Sequence, residues 1–99
     1  MLDLSTITGF EWDDANREKN WIRHAVSVAE CEEVFFNRPI LLQPDPVHSK
    51  VEVRLYVLGR TNHGRALFIG FTLRNTNIRV ISARDMSKKE RSAYDQVIA

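Results

Sequence analysis

The chain has 99 residues, 43% hydrophobic and 27% charged, the proportions of an ordinary globular protein and not of a disordered or fibrous one. No apolar run approaches the ~20 residues a membrane span needs, and the N-terminal MLDLSTITGFEWDD is too polar for a secretory signal. The net charge of +1 hides a split: residues 1–49 carry four Lys and Arg against nine Asp and Glu, a balance of −5, and residues 50–99 carry ten against four, a balance of +6. Such asymmetry points to a polyanion or an acidic partner at the basic half.

Length and the absence of any linker or repeat indicate one domain over residues 1–99. Asp13 or Asp14 can cap a first helix running to about His24, with Ala15, Trp21 and Ile22 near one stripe. Ser27-Val28-Ala29-Glu30 has the spacing of a capping box and opens a second helix through about Phe35. Ala25-Val26 joins the two as an αα-hairpin. The single cysteine, Cys31, falls inside the second helix as a small core residue; with no disulfide framework the chain suits a reducing cytoplasm.

From Pro39 the period changes to that of a strand. Ile40-Leu41-Leu42 is a short first strand, ended by the loop Pro44-Asp45-Pro46-Val47-His48-Ser49. A second strand from about Val51 to Gly59 puts Val51, Val53, Leu55 and Val57 on one face and Glu52, Arg54 and Tyr56 on the other. Thr61 to Arg65 makes a hairpin loop in which Gly64 takes positive φ. The third strand turns Leu67, Ile69, Phe71 and Leu73 inward and Phe68, Gly70, Thr72 and Arg74 outward. After an Asn75-Thr76 turn, Ile78 and Val80 continue the apolar face. Ser87-Lys88-Lys89-Glu90 is a second capping box and opens a terminal helix through about Val97. The fold class is α+β, ordered ααββββα: two N-terminal helices, a four-stranded antiparallel β-meander and a C-terminal helix, with the helices on the apolar face.

Arginine recurs at Arg74, Arg79, Arg84 and Arg91. If Asn75-Thr76 and the loop at 61–65 close symmetrically, Thr72 lies opposite both Arg54 and Arg79, and Glu52 opposite Arg74. Guanidinium groups hold their charge and present a donor fork matched to phosphate oxygens, so this face is a candidate platform for a phosphodiester backbone. The same pattern also fits a solvated face with weak surface ion pairs.

Other chemistries find little footing. Asp45 and His48 lack companions for a metal site. There is no G-x-S-x-G elbow and no phosphate-binding glycine loop, so neither a serine hydrolase nor a nucleotide cofactor is indicated. His24 sits at a helix C-terminus, where the dipole favours imidazolium. His63 is at a hairpin tip. Trp12 and Trp21 read as core or partner-facing, and an exposed Trp12 would stack on a base.

FEWDDANREKNWIRHAVSVAECEEVF, the D-P-V-H-S loop, V-E-V-R-L-Y-V-L-G and T-L-R-N-T-N-I-R-V-I-S-A-R-D-M-S-K-K-E-R-S-A-Y together resemble the BrnT toxin family from Phe10 to about Tyr94. The specific pieces are N-x-x-[KR]-H in the first helix, E-x-R in the second strand, and I-R-[VI]-I-S-A-R followed by E-R-x-x-Y. One departure is visible: the family's usual glycine after the histidine is Ala25 here, at a cost on the order of 1 kcal/mol if the position is left-handed. The resemblance implies a RelE-like fold and a growth-inhibiting ribonuclease toxin of a type II toxin–antitoxin pair, cleaving RNA without metal or cofactor through attack of the 2′-hydroxyl. It implies a ribbon-helix-helix antitoxin as partner in a heteromeric complex, with operator DNA reached only through that antitoxin, and no membrane.

Under that resemblance Arg54, Arg74 and Arg79 suit stabilisation of phosphorane charge, and Glu52 is the natural base by residue type. Thr72 joins them in the row. Arg84 and Trp12 match family positions, and His24 and Tyr94 are candidates for the proton donor. A second reading is a non-catalytic module whose arginine face grips nucleic acid or the antitoxin.

Overall fold

Three side-chain caps set the helices in the computed structural model, which describes residues 4–48 and 52–98. Asp13 accepts from the Asn16 backbone N–H at 2.8 Å and opens α1 (Asp14–His24). Ser27 and Glu30 exchange bonds of 3.1 and 3.0 Å in the expected capping box ahead of α2 (Val28–Phe36). Ser87 and Glu90 do the same at 3.2 and 2.8 Å ahead of α3 (Lys88–Ile98). α1 ends on Ala25 at φ 52° and ψ 39°, the left-handed conformation, with its N–H closing on the Trp21 carbonyl at 2.9 Å.

Among the described residues the sheet has five strands, which corrects the expected four. They are β1 (Gly9–Phe10), β2 (Leu41–Pro44), β3 (Arg54–Arg60), β4 (Ala66–Arg74) and β5 (Asn77–Asp85), lying side by side in the order β1-β5-β4-β3-β2. β2 to β5 form the antiparallel meander. β1 pairs parallel to β5, so the sheet is mixed and the chain runs βααββββα. Two residues offer no period to read. β1 is held by its flanks, Thr8 N–H to the Thr76 carbonyl at 2.9 Å and Glu11 N–H to the Ile78 carbonyl at 2.8 Å. β3 starts at Arg54, leaving Glu52 and Val53 ahead of it; the expected start at Val51 lies outside the described residues.

The main core fills the space between α2 and one sheet face. Val26, Cys31, Val34 and Phe35 meet Val57, Ile69, Phe71 and Val80, with Phe35 edge-on to Phe71 at 5.2 Å between centroids. The helix approaches so closely that a Cβ on Gly59 would lie 2.8 Å from a Val34 methyl. Burial pushes the Cys31 thiol up to about 12, with Glu30 and Glu32 adding to it, so it behaves as an inert apolar residue.

Two helix placements differ from expectation. α3 packs on the opposite face of the sheet, where Tyr94 joins Leu58, Ala66 and Met86 in a smaller cluster. α1 does not bury its apolar stripe: Trp21 is 58% and Ile22 76% exposed. Its inward side is polar, because it lies along the margin of β5 beyond β1, where backbone groups need partners. Asn16 Nδ2 donates to the Val80 carbonyl at 3.0 Å and Lys19 Nζ to that of Ile81 at 2.7 Å. Buried Asn20 accepts from Ala83 N–H at 3.1 Å.

Candidate nucleic-acid interface

The register puts Thr72 opposite Arg54 on one side and Arg79 on the other, as the loop symmetry requires. Strand alternation alone would then turn Arg84 to the opposite face from Arg79, an odd number of positions away. A bulge prevents this. Gly70 pairs with Ser82 and Phe71 with Val80, so Ile81 is an extra residue and the alternation resets. Arg84 consequently lies opposite Phe68, on the face that carries Arg54, Thr72, Arg74 and Arg79.

On this face a cleft of about 280 Å³ is lined by Asp45, Arg54, Leu55, Phe68, Gly70, Phe71, Ile81, Ser82 and Arg84. Two arginines and one aspartate thus line a small concavity together with glycine and aromatic residues. Arg84 is fixed in detail: Nη1 and Nη2 donate to the two Glu90 oxygens at 2.8 and 2.9 Å, and the guanidinium carbon stands 4.1 Å over the Phe68 ring. Phe68 in turn stacks on Tyr56 at 5.1 Å. The Arg84 bond, foremost, holds the Glu90 carboxyl below the usual carboxylate range.

Of the other sequence candidates, Arg79 stands beside the cleft but is ion-paired, Nη2 to Asp13 Oδ2 at 2.7 Å, and this bond lowers the Asp13 carboxyl. Thr72 is buried, and its hydroxyl donates to the Val53 carbonyl at 2.7 Å, which ties β4 to the approach of β3. Arg74 is exposed at the end of β4. Glu52 is half-buried ahead of β3 and is not among the described residues that line the cleft.

The remaining three lie elsewhere. Trp12 is half-buried against the main core and donates from Nε1 to Glu32 at 2.9 Å. His24 is exposed at the end of α1, with its carbonyl accepting from Arg65 at 2.9 Å. Tyr94 is buried and donates its hydroxyl to the Pro39 carbonyl at 2.6 Å.

Sequence reading missed Asp45, Phe68 and Glu90 as neighbours of the site. Phe68 had a signal, an aromatic at an outward strand position; Asp45 was visible as a loop acid set aside as a metal ligand, and Glu90 as a cap and the first residue of E-R-x-x-Y. Among the described residues no three His, Cys, Asp or Glu side chains gather as metal ligands. A larger cavity of about 470 Å³ lies apart from the arginine face, lined mainly by apolar residues such as Leu4, Ile7, Phe10 and Phe36.

Fold and cleft define a small α+β protein with an arginine-rich sheet face. The chain belongs to the BrnT family: the family model described as the ribonuclease toxin BrnT of type II toxin–antitoxin systems matches residues 12–90. A similar fold is that of the Brucella abortus ribonuclease toxin BrnT, known from its crystal structure. The TM-score is 0.58 and the identity 22%, over 81% of this chain and 97% of that one. A comparison with curated proteins finds no match.

Proposed function

We propose that residues 1–99 form one toxin domain, a metal-independent endoribonuclease that binds a phosphodiester of RNA in the Arg54–Arg84 cleft. The observation that carries the reading is that Arg54, Arg84 and Asp45 line one cleft in a member of a ribonuclease toxin family. Asp45 takes the proton of the 2′-hydroxyl, and the 2′-oxygen bonds to phosphorus. The bond from phosphorus to the 5′-oxygen breaks, and that oxygen takes a proton from solvent at the cleft mouth. The products are a 2′,3′-cyclic phosphate and a 5′-hydroxyl. Arg54 and Arg84 meet the added charge of the phosphorane, where fixed donors lower the barrier most. Arg79 and Arg74 extend the positive track for the flanking backbone, and Glu52 is the second candidate acceptor.

The setting we infer is cytoplasmic; among the described residues no helix is long and apolar enough to cross a membrane. Membership of a type II family implies an antitoxin partner. We take it to be a ribbon-helix-helix protein that covers the arginine face or α3, restrains growth inhibition and alone contacts operator DNA.

Antitoxin-free protein incubated with RNA in EDTA should give fragments ending in cyclic phosphate. Arg54→Ala should lower the rate by roughly 10²–10³ if it supplies one transition-state donor, and Asp45→Asn should lower it more than Glu52→Gln. Intact RNA at high protein concentration overturns the enzymatic reading. The binding-module reading draws on the internal pairing of Arg79 and Arg84, which suits a held surface as well as a reactive one. RNA bound in a strongly salt-dependent way and left uncut would favour it.

A further inference from the structure

We propose that Glu90 of α3 is a positioning residue for RNA cleavage, setting Arg84 so that one donor edge of its guanidinium faces the phosphodiester. The inference rests on the ribonuclease reading and gives a role to Glu90 and Tyr94, which that reading leaves unused. Glu90 does two things at once. One oxygen accepts the Ser87 backbone N–H at 2.8 Å and anchors the start of α3. Both oxygens take the end of the Arg84 fork at 2.8 and 2.9 Å.

Arginine has five N–H donors. Those of Nη1 go to Glu90 and to the Asp85 carbonyl, at 2.8 and 3.1 Å, and one of Nη2 goes to Glu90 at 2.9 Å. The edge formed by Nε and the second Nη2 hydrogen makes no hydrogen bond to any described residue, and it is the edge with the geometry for a bidentate phosphate contact. Phe68 fixes the plane of the group from one side at 4.1 Å.

The support is itself held. Tyr94, one helical turn beyond Glu90, hooks α3 to the Pro39 carbonyl at 2.6 Å. Glu90 is not among the described residues lining the cleft, whereas Arg84 is, so the carboxylate stands behind the guanidinium and does not compete with substrate in front of it. A group held in plane and in rotation before substrate arrives needs little rearrangement in the transition state.

Glu90→Gln tests this, because glutamine also completes a capping box while losing the charge. Steady-state cleavage of a defined RNA by antitoxin-free protein should show kcat reduced about 10- to 100-fold. KM should be unchanged or lower, since removing a carboxylate leaves the face more positive. In an Arg84→Ala background the same change should add nothing, which a purely structural role would not produce. Arg84→Lys, which keeps the charge and loses the fork, should match the kcat loss even if Glu90→Gln folds poorly. Cleavage by Glu90→Gln or Arg84→Lys at or above the wild-type rate overturns the inference, as does a full additional loss in the double variant. Wild-type protein that leaves RNA intact removes the ribonuclease reading itself, and the positioning role with it.

Discussion

Ala25 holds a conformation that an L-residue with a Cβ enters at a cost of about 1–2 kcal/mol. Its φ of 52° is imposed by the turn from α1 into Val26, whose N–H closes on the Asn20 carbonyl at 3.2 Å. Ala25→Gly should therefore stabilise the protein by about 1 kcal/mol, equivalent to a rise in Tm of roughly 4–8 °C for a chain of this size. Thermal unfolding reads this directly, and a Tm at or below wild type would show that the strain is relieved elsewhere. The cost at this position was legible because one dihedral angle decides it. Arg84 shows the opposite limit. Its face depends on one extra residue in β5, and nothing in the composition of Arg79 to Arg84 announces a bulge.

Caps, turns and strand alternation are local, so the helix starts and the pairing of Arg54, Thr72 and Arg79 could be read from spacing. Which side of α1 faces inward is not local. Helical spacing finds an apolar stripe at Trp21 and Ile22, but the place α1 occupies calls for hydrogen-bonding groups. Asn20 is the test of that account: it is 2% exposed, and its Oδ1 is the partner of the Ala83 N–H. Asn20→Ala should cost about 1–3 kcal/mol by leaving a buried donor unsatisfied. Trp21→Ala on the same helix should cost much less. Denaturant unfolding of the pair decides it, and a larger loss at Trp21 would mean the stripe is buried after all. Lys19 adds a link to the cleft, since the carbonyl it binds at 2.7 Å belongs to Ile81, the bulge residue that sends Arg84 to the arginine face.

The opposed charges of the two halves turn out to meet partly within the chain. Arg79 pairs with Asp13, and Arg65 reaches both Glu30 at 3.2 Å and Asp85 at 2.8 Å while donating to the His24 and Ala25 carbonyls. One guanidinium thus ties the end of α1, the start of α2 and the end of β5. Asp85 is held below the usual carboxylate range by Arg65; for Glu30 burial pulls upward, and the Ser27 N–H and Arg65 together outweigh it. A carboxyl whose folded pKa is lowered contributes stability that is present above its unfolded value of about 4 and lost as pH falls through the folded one. Stability should accordingly fall on acidification below about pH 4, and Arg65→Met should fall less steeply, its deficit against wild type narrowing as the carboxyls protonate. Denaturation curves between pH 7 and pH 3 measure the two slopes, and parallel curves would show that these pairs do not act through Arg65. Charge counting could show the imbalance of the halves, but not how much of it the fold neutralises internally.

The side chains of α1 along β5 also govern what the sheet can join. An open strand margin is a template on which a second chain can add a strand, and repeated addition leads to aggregation. Here one margin is occupied by Asn16, Lys19 and Asn20 where β1 ends, and the other strand at the border, β2, has four residues and closes on Pro44. Side chains that occupy the end of β5, and a border strand that is short and ends in proline, both disfavour growth by strand addition.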